Sequence, residues 1–300
     1  MAEPNTPNPN QQSDAAPTKV EAIPDVSLRT GNELSREEAD SVVKSAPSVV
    51  VAVIGLTGAG KTTLIASLYD RLLEGAIGEY EFVHSRTLVG FEKLCHLARA
   101  SSGTTVSDTE HTRLSAGLKY YHLGLASGSS QIDLLFADRA GELFLNAATK
   151  LEESKELGDL NSCGKYLYLV DGEKFDDSAG RFEVEAKCGL ILQALAQVGF
   201  LHAGSEIVLV LTKYDLIAPE RRAATVARFD ELMARMRLRV VRYSLNLQAA
   251  VVAARSDVDN VPSGYGIERL VRDFLARTDV RAEPESRVVG TRMFHRIEIL

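Results

Sequence analysis

The sequence is short of the residues that mark secreted, membrane-anchored or nucleic-acid-binding proteins. Only three of 300 residues are cysteines, Cys95, Cys163 and Cys188. Their spacing fits neither a disulfide framework nor a zinc site, so free buried thiols in a reducing compartment are expected. The six histidines are scattered. No stretch approaches the ~18 uninterrupted apolar residues of a spanning helix. The start, MAEPNTPNPN, lacks the basic and apolar regions of a signal peptide. Ala2 stands where myristoylation requires glycine, and the end, IEIL, has no cysteine for prenylation. A cytoplasmic protein without a membrane anchor is expected. Positive charge is scarce as well: 34 Lys and Arg against 41 Asp and Glu leave a net charge of −7. With no basic cluster, a nucleic-acid partner is not expected.

What is present is enough apolar material for a sizeable core, 45% of the residues against 25% charged. It is unevenly spread. Residues 1–46 hold five of the nine prolines, eight acidic and four basic side chains and no aromatic residue. Such an arm cannot bury enough apolar surface to offset its ordering entropy, and disorder is expected. Within it, Ser35 and Glu38 have capping-box spacing and start a short helix, SREEADSVVKSA. A solvated helix is expected there, with docking onto the domain or a partner as the alternatives.

Residues 47–278 alternate strand and helix patterns without an internal repeat. Strands are predicted at 48–54, 117–126, 131–137, 165–171, 206–212 and 248–254, and helices at 61–74, 91–101, 143–157, 180–198, 219–236 and 266–277. The hexapeptide ASGSSQ joins the second and third strands and favours a hairpin over a crossover. The expected fold class is therefore α/β in three layers. It has a six-stranded, mostly parallel sheet with one antiparallel edge strand and helices on both faces. Residues 279–300 form a tail ending in the strand-like run RMFHRIEIL, expected to cover a sheet edge of its own domain, or alternatively of a partner.

Three motifs carry the chemistry. The first is GLTGAGKTT, Gly55 to Thr63, directly after the apolar run SVVVAVI. Gly55, Gly58 and Gly60 let successive N–H groups converge on an anion, and the following helix adds its positive dipole end. Thr57, Ala59 and Thr63 complete this cradle. Lys61 is placed to bridge the β- and γ-phosphates of a nucleotide, and Thr62 to offer its hydroxyl to Mg²⁺. The second motif, DRAG, puts Asp138 at a strand end, where it would hold the Mg²⁺ hydration shell, and Gly141 where its N–H would meet the γ-phosphate. The third is TKYD, Thr212 to Asp215. The Asp215 carboxylate can accept two hydrogen bonds from a guanine edge, a donor pair adenine lacks, while Lys213 lays its stem along the base.

In order and spacing, GLTGAGKT, DRAG and TKYD resemble the motifs of translation-factor and Ras-like P-loop GTPases over residues 48–278. A narrower likeness, carried by SRTLVGFEKL, TEHT and DRAGELF, is to the bacterial double-GTPase families of conflict-system gene neighbourhoods. The resemblance implies GTP/GDP and Mg²⁺ as ligands, slow hydrolysis, and two switch segments that order around the γ-phosphate. Its implied partner is an effector protein, a second GTPase among the candidates.

Several positions depart from the family pattern. About 40 residues separate the first motif's helix from the next predicted strand, so the first switch carries an insertion. Its Mg²⁺-capping threonine is expected at Thr112, with Thr109 as alternative. Glu142 stands where many relatives carry a water-orienting glutamine, and its charge is repelled by the γ-phosphate unless it acts as a base. Lys61, Gly141 and Glu142 are thus the catalytic candidates. Arg139 is expected on the surface of the second switch, or else as an internal charge stabiliser. The base-edge contact is expected from Ala254, with Ser256 behind it.

Overall fold

The computed structural model describes residues 30–102, 118–256 and 258–275. In chain order they form α1 (Arg36–Ser45), β1 (Ser48–Gly55), α2 (Lys61–Glu74), β2 (Glu81–His84), α3 (Leu88–Ser102), β3 (Lys119–Ser127) and β4 (Ser130–Asp138). There follow α4 (Gly141–Thr149), a 3-10 segment (Leu151–Ser162), β5 (Lys165–Asp171), α5 (Gly172–Asp176), α6 (Ser178–Val198) and β6 (Glu206–Thr212). Beyond the turn Tyr214–Leu216 come α7 (Pro219–Val240), β7 (Asn246–Val251) and α8 (Ile267–Leu275).

The strands make one sheet in the order β2-β3-β4-β1-β5-β6-β7. β4, β1, β5, β6 and β7 pair in parallel, and β3 runs against both β4 and β2. The hairpin between β3 and β4 and the six expected strands are all present. The seventh, β2, is the four-residue EFVH, mostly exposed and too short to alternate visibly. It lies outside β3 and, with α3, fills part of the long connection read as a switch insertion. Thr109, Thr112 and the TEHT stretch lie outside the described residues, as do most of the arm and the tail.

The layering follows from the central strands, which are buried on both faces. β5 (KYLYLVD) is buried throughout. One face carries Tyr166, Tyr168 and Val170 against α4, α6 and α7, and the other carries Leu167 and Leu169 against α2, α3 and α8. Because the parallel strands end together, the loops after β1, β4, β5, β6 and β7 meet at one edge of the sheet, where ligands of open α/β sheets bind.

The arm's helix forms with its capping box: the Glu38 carboxylate accepts from Ser35 N–H at 2.8 Å, and Ser35 Oγ accepts from Glu38 N–H at 3.3 Å. It is not solvated. Ala39 and Val42 are buried against the sheet, and the preceding Leu34 exchanges backbone hydrogen bonds of 2.9 and 3.1 Å with Tyr120 on β3. This apolar face is only two helical residues plus Leu34, too narrow for periodicity to reveal. A pair of variants tests the docking. Val42→Ala should lower the unfolding free energy by about 1.5 kcal/mol, at roughly 0.8 kcal/mol per buried methyl or methylene, while Val43→Ala, on the exposed side, should leave it unchanged. Equal denaturation midpoints for both variants and the wild type would show that the helix contributes nothing to the core.

Candidate functional site

β1 drives its buried run into Gly55, and the chain then turns through Gly58 (φ 81°) and Gly60 (φ 86°), left-handed conformations suited to glycine. Gly60 is the N-cap of α2 and brings no side chain to its free N–H groups, which stay open to an anion. Lys61 folds back over this loop. Its Nζ donates to the carbonyls of Gly55 at 3.0 Å and Leu56 at 3.2 Å. Burial pushes the ammonium pKa down, opposed by the neighbouring Asp138 carboxylate.

Asp138 closes β4 opposite Val53 on β1. Its Oδ2 accepts from the Thr62 hydroxyl at 3.2 Å, whereas Oδ1 is buried without a hydrogen-bond partner among the described residues. Burial holds this carboxyl above the usual carboxylate range, against the opposing pull of Lys61 and Thr62. An orphaned buried carboxylate oxygen beside a hydroxyl is a donor set suited to a hard, oxygen-seeking cation. Thr57 and Thr63 are half-buried around the loop, and Ala59 lies beneath it.

Gly141 opens α4 directly against the loop. A Cβ there would lie 2.4 Å from the Thr57 amide nitrogen and 2.7 Å from the Gly55 carbonyl oxygen, so only glycine permits this approach. Glu142 follows in the first turn of α4 with its side chain exposed. Arg139 is neither a surface residue nor directed at the loop. It is buried, and its guanidinium engages both carboxylate oxygens of Asp159 in the 3-10 segment, with Nε 3.3 Å from Oδ2. The alternation of β4 explains the difference: Asp138 faces the α2 side, and the next residue turns to the opposite layer.

The TKYD turn is bolted to the same loop. Thr212 Oγ1 lies 2.9 Å from the Ala59 carbonyl and 3.1 Å from that of Val170. Lys213 takes a left-handed conformation (φ 55°) and donates from Nζ to Asp171 at 2.8 Å and Glu173 at 3.4 Å. Asp171 also caps α5, accepting from the Glu173 and Lys174 amides. Asp215 is largely buried in the turn. The loop after β7 is tied in through Tyr214 N–H to Val252 O at 3.2 Å. Ala254, two residues on, and Ser256 are half-buried there. Asp171 and Asp159 were missed from sequence; an acidic residue at a strand end before Gly-Glu is a readable N-cap signal for the first, and nothing marks the second.

A family model described as Double-GTPase 2 matches residues 49–275. The chain belongs to that family. It is a P-loop GTPase of the double-GTPase type. Among solved structures it is similar to the signal recognition particle receptor SRb-GTP/SRX complex from Chaetomium thermophilum. That likeness has 16% identity and a TM-score of 0.43, covering 78% of this chain and 99% of that one. No curated protein sequence matches.

This double-GTPase chain also gathers His84, His122 and Asp133 at the β2 edge, with their ligand atoms within 4.8 Å of one another. Hydrogen bonding argues against a metal centre. His122 Nδ1 accepts the Arg86 N–H at 3.0 Å, so the neutral ring carries its proton on Nε2, which is buried 3.3 Å from Asp133 Oδ1 without forming a hydrogen bond among the described residues. A metal-ligating histidine has the reverse arrangement, donating from its other nitrogen.

Two predictions concern the buried charges. Arg139→Met should cost about 3–5 kcal/mol, because it strands Asp159 in the core, while adding Asp159→Leu should restore most of that loss. Denaturant titration decides this, and a single variant as stable as the wild type would contradict it. For Asp138 the folded pKa lies above the unfolded one, so between them the native state binds more protons and stability falls as pH rises. Nucleotide-free wild type should therefore lose stability relative to Asp138→Asn as pH rises through that window. Parallel pH profiles for the two proteins would refute the raised pKa.

Proposed function

We propose that the chain is a Mg²⁺-dependent molecular switch of the cytosol that binds GTP, hydrolyses it slowly and engages an effector protein in its GTP-bound state. The observation that carries this reading is the meeting of the Lys61 ammonium, the Thr62 hydroxyl and the orphaned Asp138 oxygen at a glycine loop heading a helix.

In this reading the N–H groups from Thr57 to Thr63 wrap the phosphates. Lys61 exchanges the Gly55 and Leu56 carbonyls for phosphate oxygens. Thr62 and Asp138 would hold Mg²⁺, which supplies charge neutralisation between the β- and γ-phosphates when bound. Asp215 selects guanine, and Lys213, steadied by Asp171, lies along the base. Ala254 would meet the guanine oxygen through its N–H, and Thr112, outside the described residues, would be the first-switch residue to add a ligand to the cation. Gly141 donates its N–H to the γ-phosphate. The proposed effector is a protein, and a second GTPase is the partner class the family name points to.

Glu142 favours a second reading, a nucleotide-binding scaffold with negligible hydrolysis. Its exposed carboxylate enters from the first turn of α4, where like charge opposes the γ-phosphate and a neutral amide would position water without repulsion.

Equilibrium titration tests binding. Lys61→Ala should abolish tight GTP binding, and Asp215→Asn should shift preference from guanine to xanthine nucleotides, whose base presents an acceptor in place of a donor. Unchanged GTP affinity in the Lys61 variant, or equal wild-type affinity for ATP and GTP, would sink the assignment. Single-turnover assays separate the two readings of Glu142. Glu142→Gln should raise the hydrolysis rate, and a drop of about tenfold, or ~1.4 kcal/mol in barrier, with affinity intact would instead make Glu142 a working base.

A further inference from the structure

The two edges of the sheet are built differently. β2 is four residues long, carries Glu81 and breaks register with β3 between Phe82 and His84. Shortness, charge and a bulge are the devices by which edge strands avoid pairing with other chains. β7 has none of them. Its sequence NLQAAV lacks charge and proline, and its register with β6 is unbroken from Asn246 to Val251. Arg237 covers the Leu247 carbonyl at 3.0 Å. Beyond it, Gln248 to Val251 line a groove of about 630 Å³ between α7 and α8, with Val226 and Leu270 as apolar walls.

We propose that the chain's own C-terminal segment, Arg292–Leu300 (RMFHRIEIL), occupies this groove as an added strand paired antiparallel to β7. The exit point favours it. The described chain leaves at Leu275, two residues past Asp273, which itself lines the groove together with Asp230. Asp273 is already paired with Arg269 and Arg272 at 3.5 Å, so Asp230 is the carboxylate left to meet Arg292 or Arg296 of the segment. Reach is sufficient, because the 16 residues 276–291 span roughly 50 Å when extended, against about 20 Å for the length of β7.

Topology sets the direction. The steps from β5 to β6 and from β6 to β7 pass over α6 and α7 on one face, whereas α8 packs on the other face with α2. A parallel strand beyond β7, reached over α8, would make a left-handed crossover, which folds almost never contain. The antiparallel course avoids it: from the end of α8, where Phe274 O accepts from Lys165 at the start of β5, the linker climbs past β7 and the strand returns.

Hydrogen exchange read by mass spectrometry tests this on the full chain, on a truncation after Thr291 and on Ile297→Pro. Amides of residues 246–251 should exchange at least tenfold faster in both altered proteins, while those of β1 stay protected and report an intact domain. Synthetic RMFHRIEIL added to the truncation should restore the protection. Equal β7 exchange in all three proteins would overturn the proposal. So would protection that fades on dilution of the full chain, since a second copy would then be donating the strand.

Discussion

The site depends on one buried carboxylate that the fold does not satisfy. Asp138 is desolvated at the end of β4, receives the Thr62 hydroxyl on one oxygen, lies beside Lys61 and leaves its second oxygen without a hydrogen-bond partner among the described residues. Burying a polar atom this way costs free energy unless something completes it. Lys61 is held in a similar provisional state, bonded to the carbonyls of its own loop. In the proposed function both groups would trade an internal partner for the phosphate or the cation.

Rigid connections keep these groups in place. Thr212 fastens the TKYD turn to Ala59 of the glycine loop, and Asp171 holds Lys213 while capping α5. Gly141 brings the start of α4 so close to Thr57 and Gly55 that no side chain fits between them. Behind it, the Arg139–Asp159 pair anchors the segment between β4 and α4 in the opposite layer. A buried pair of this kind is weak evidence for stability but strongly resists being pulled apart.

Much of this was legible in the sequence. The β-branched run before GLTGAGKT, the apolar strand before DRAG and the strand before TKYD each fixed an element and delivered its motif to the same sheet edge. What escaped has physical reasons. β2 was too short to show a period, and α1 docks through a face of only Ala39 and Val42. The burial of Arg139 was hidden because an arginine after a motif aspartate reads as solvent-facing, and its partner Asp159 is 20 residues away on a segment with no motif. The role of Asp171 depends on a tertiary contact with Lys213, which local pattern cannot encode.

If Asp138 waits for a cation, binding Mg²⁺ with GDP must shift its proton equilibrium. Calorimetric titration of nucleotide-free protein with Mg·GDP, in mildly acidic buffers of different ionisation enthalpy, measures that directly. The account predicts proton release by the wild type and a smaller release by Asp138→Asn, because the cation favours the ionised carboxylate. Identical proton release from the two proteins would contradict it.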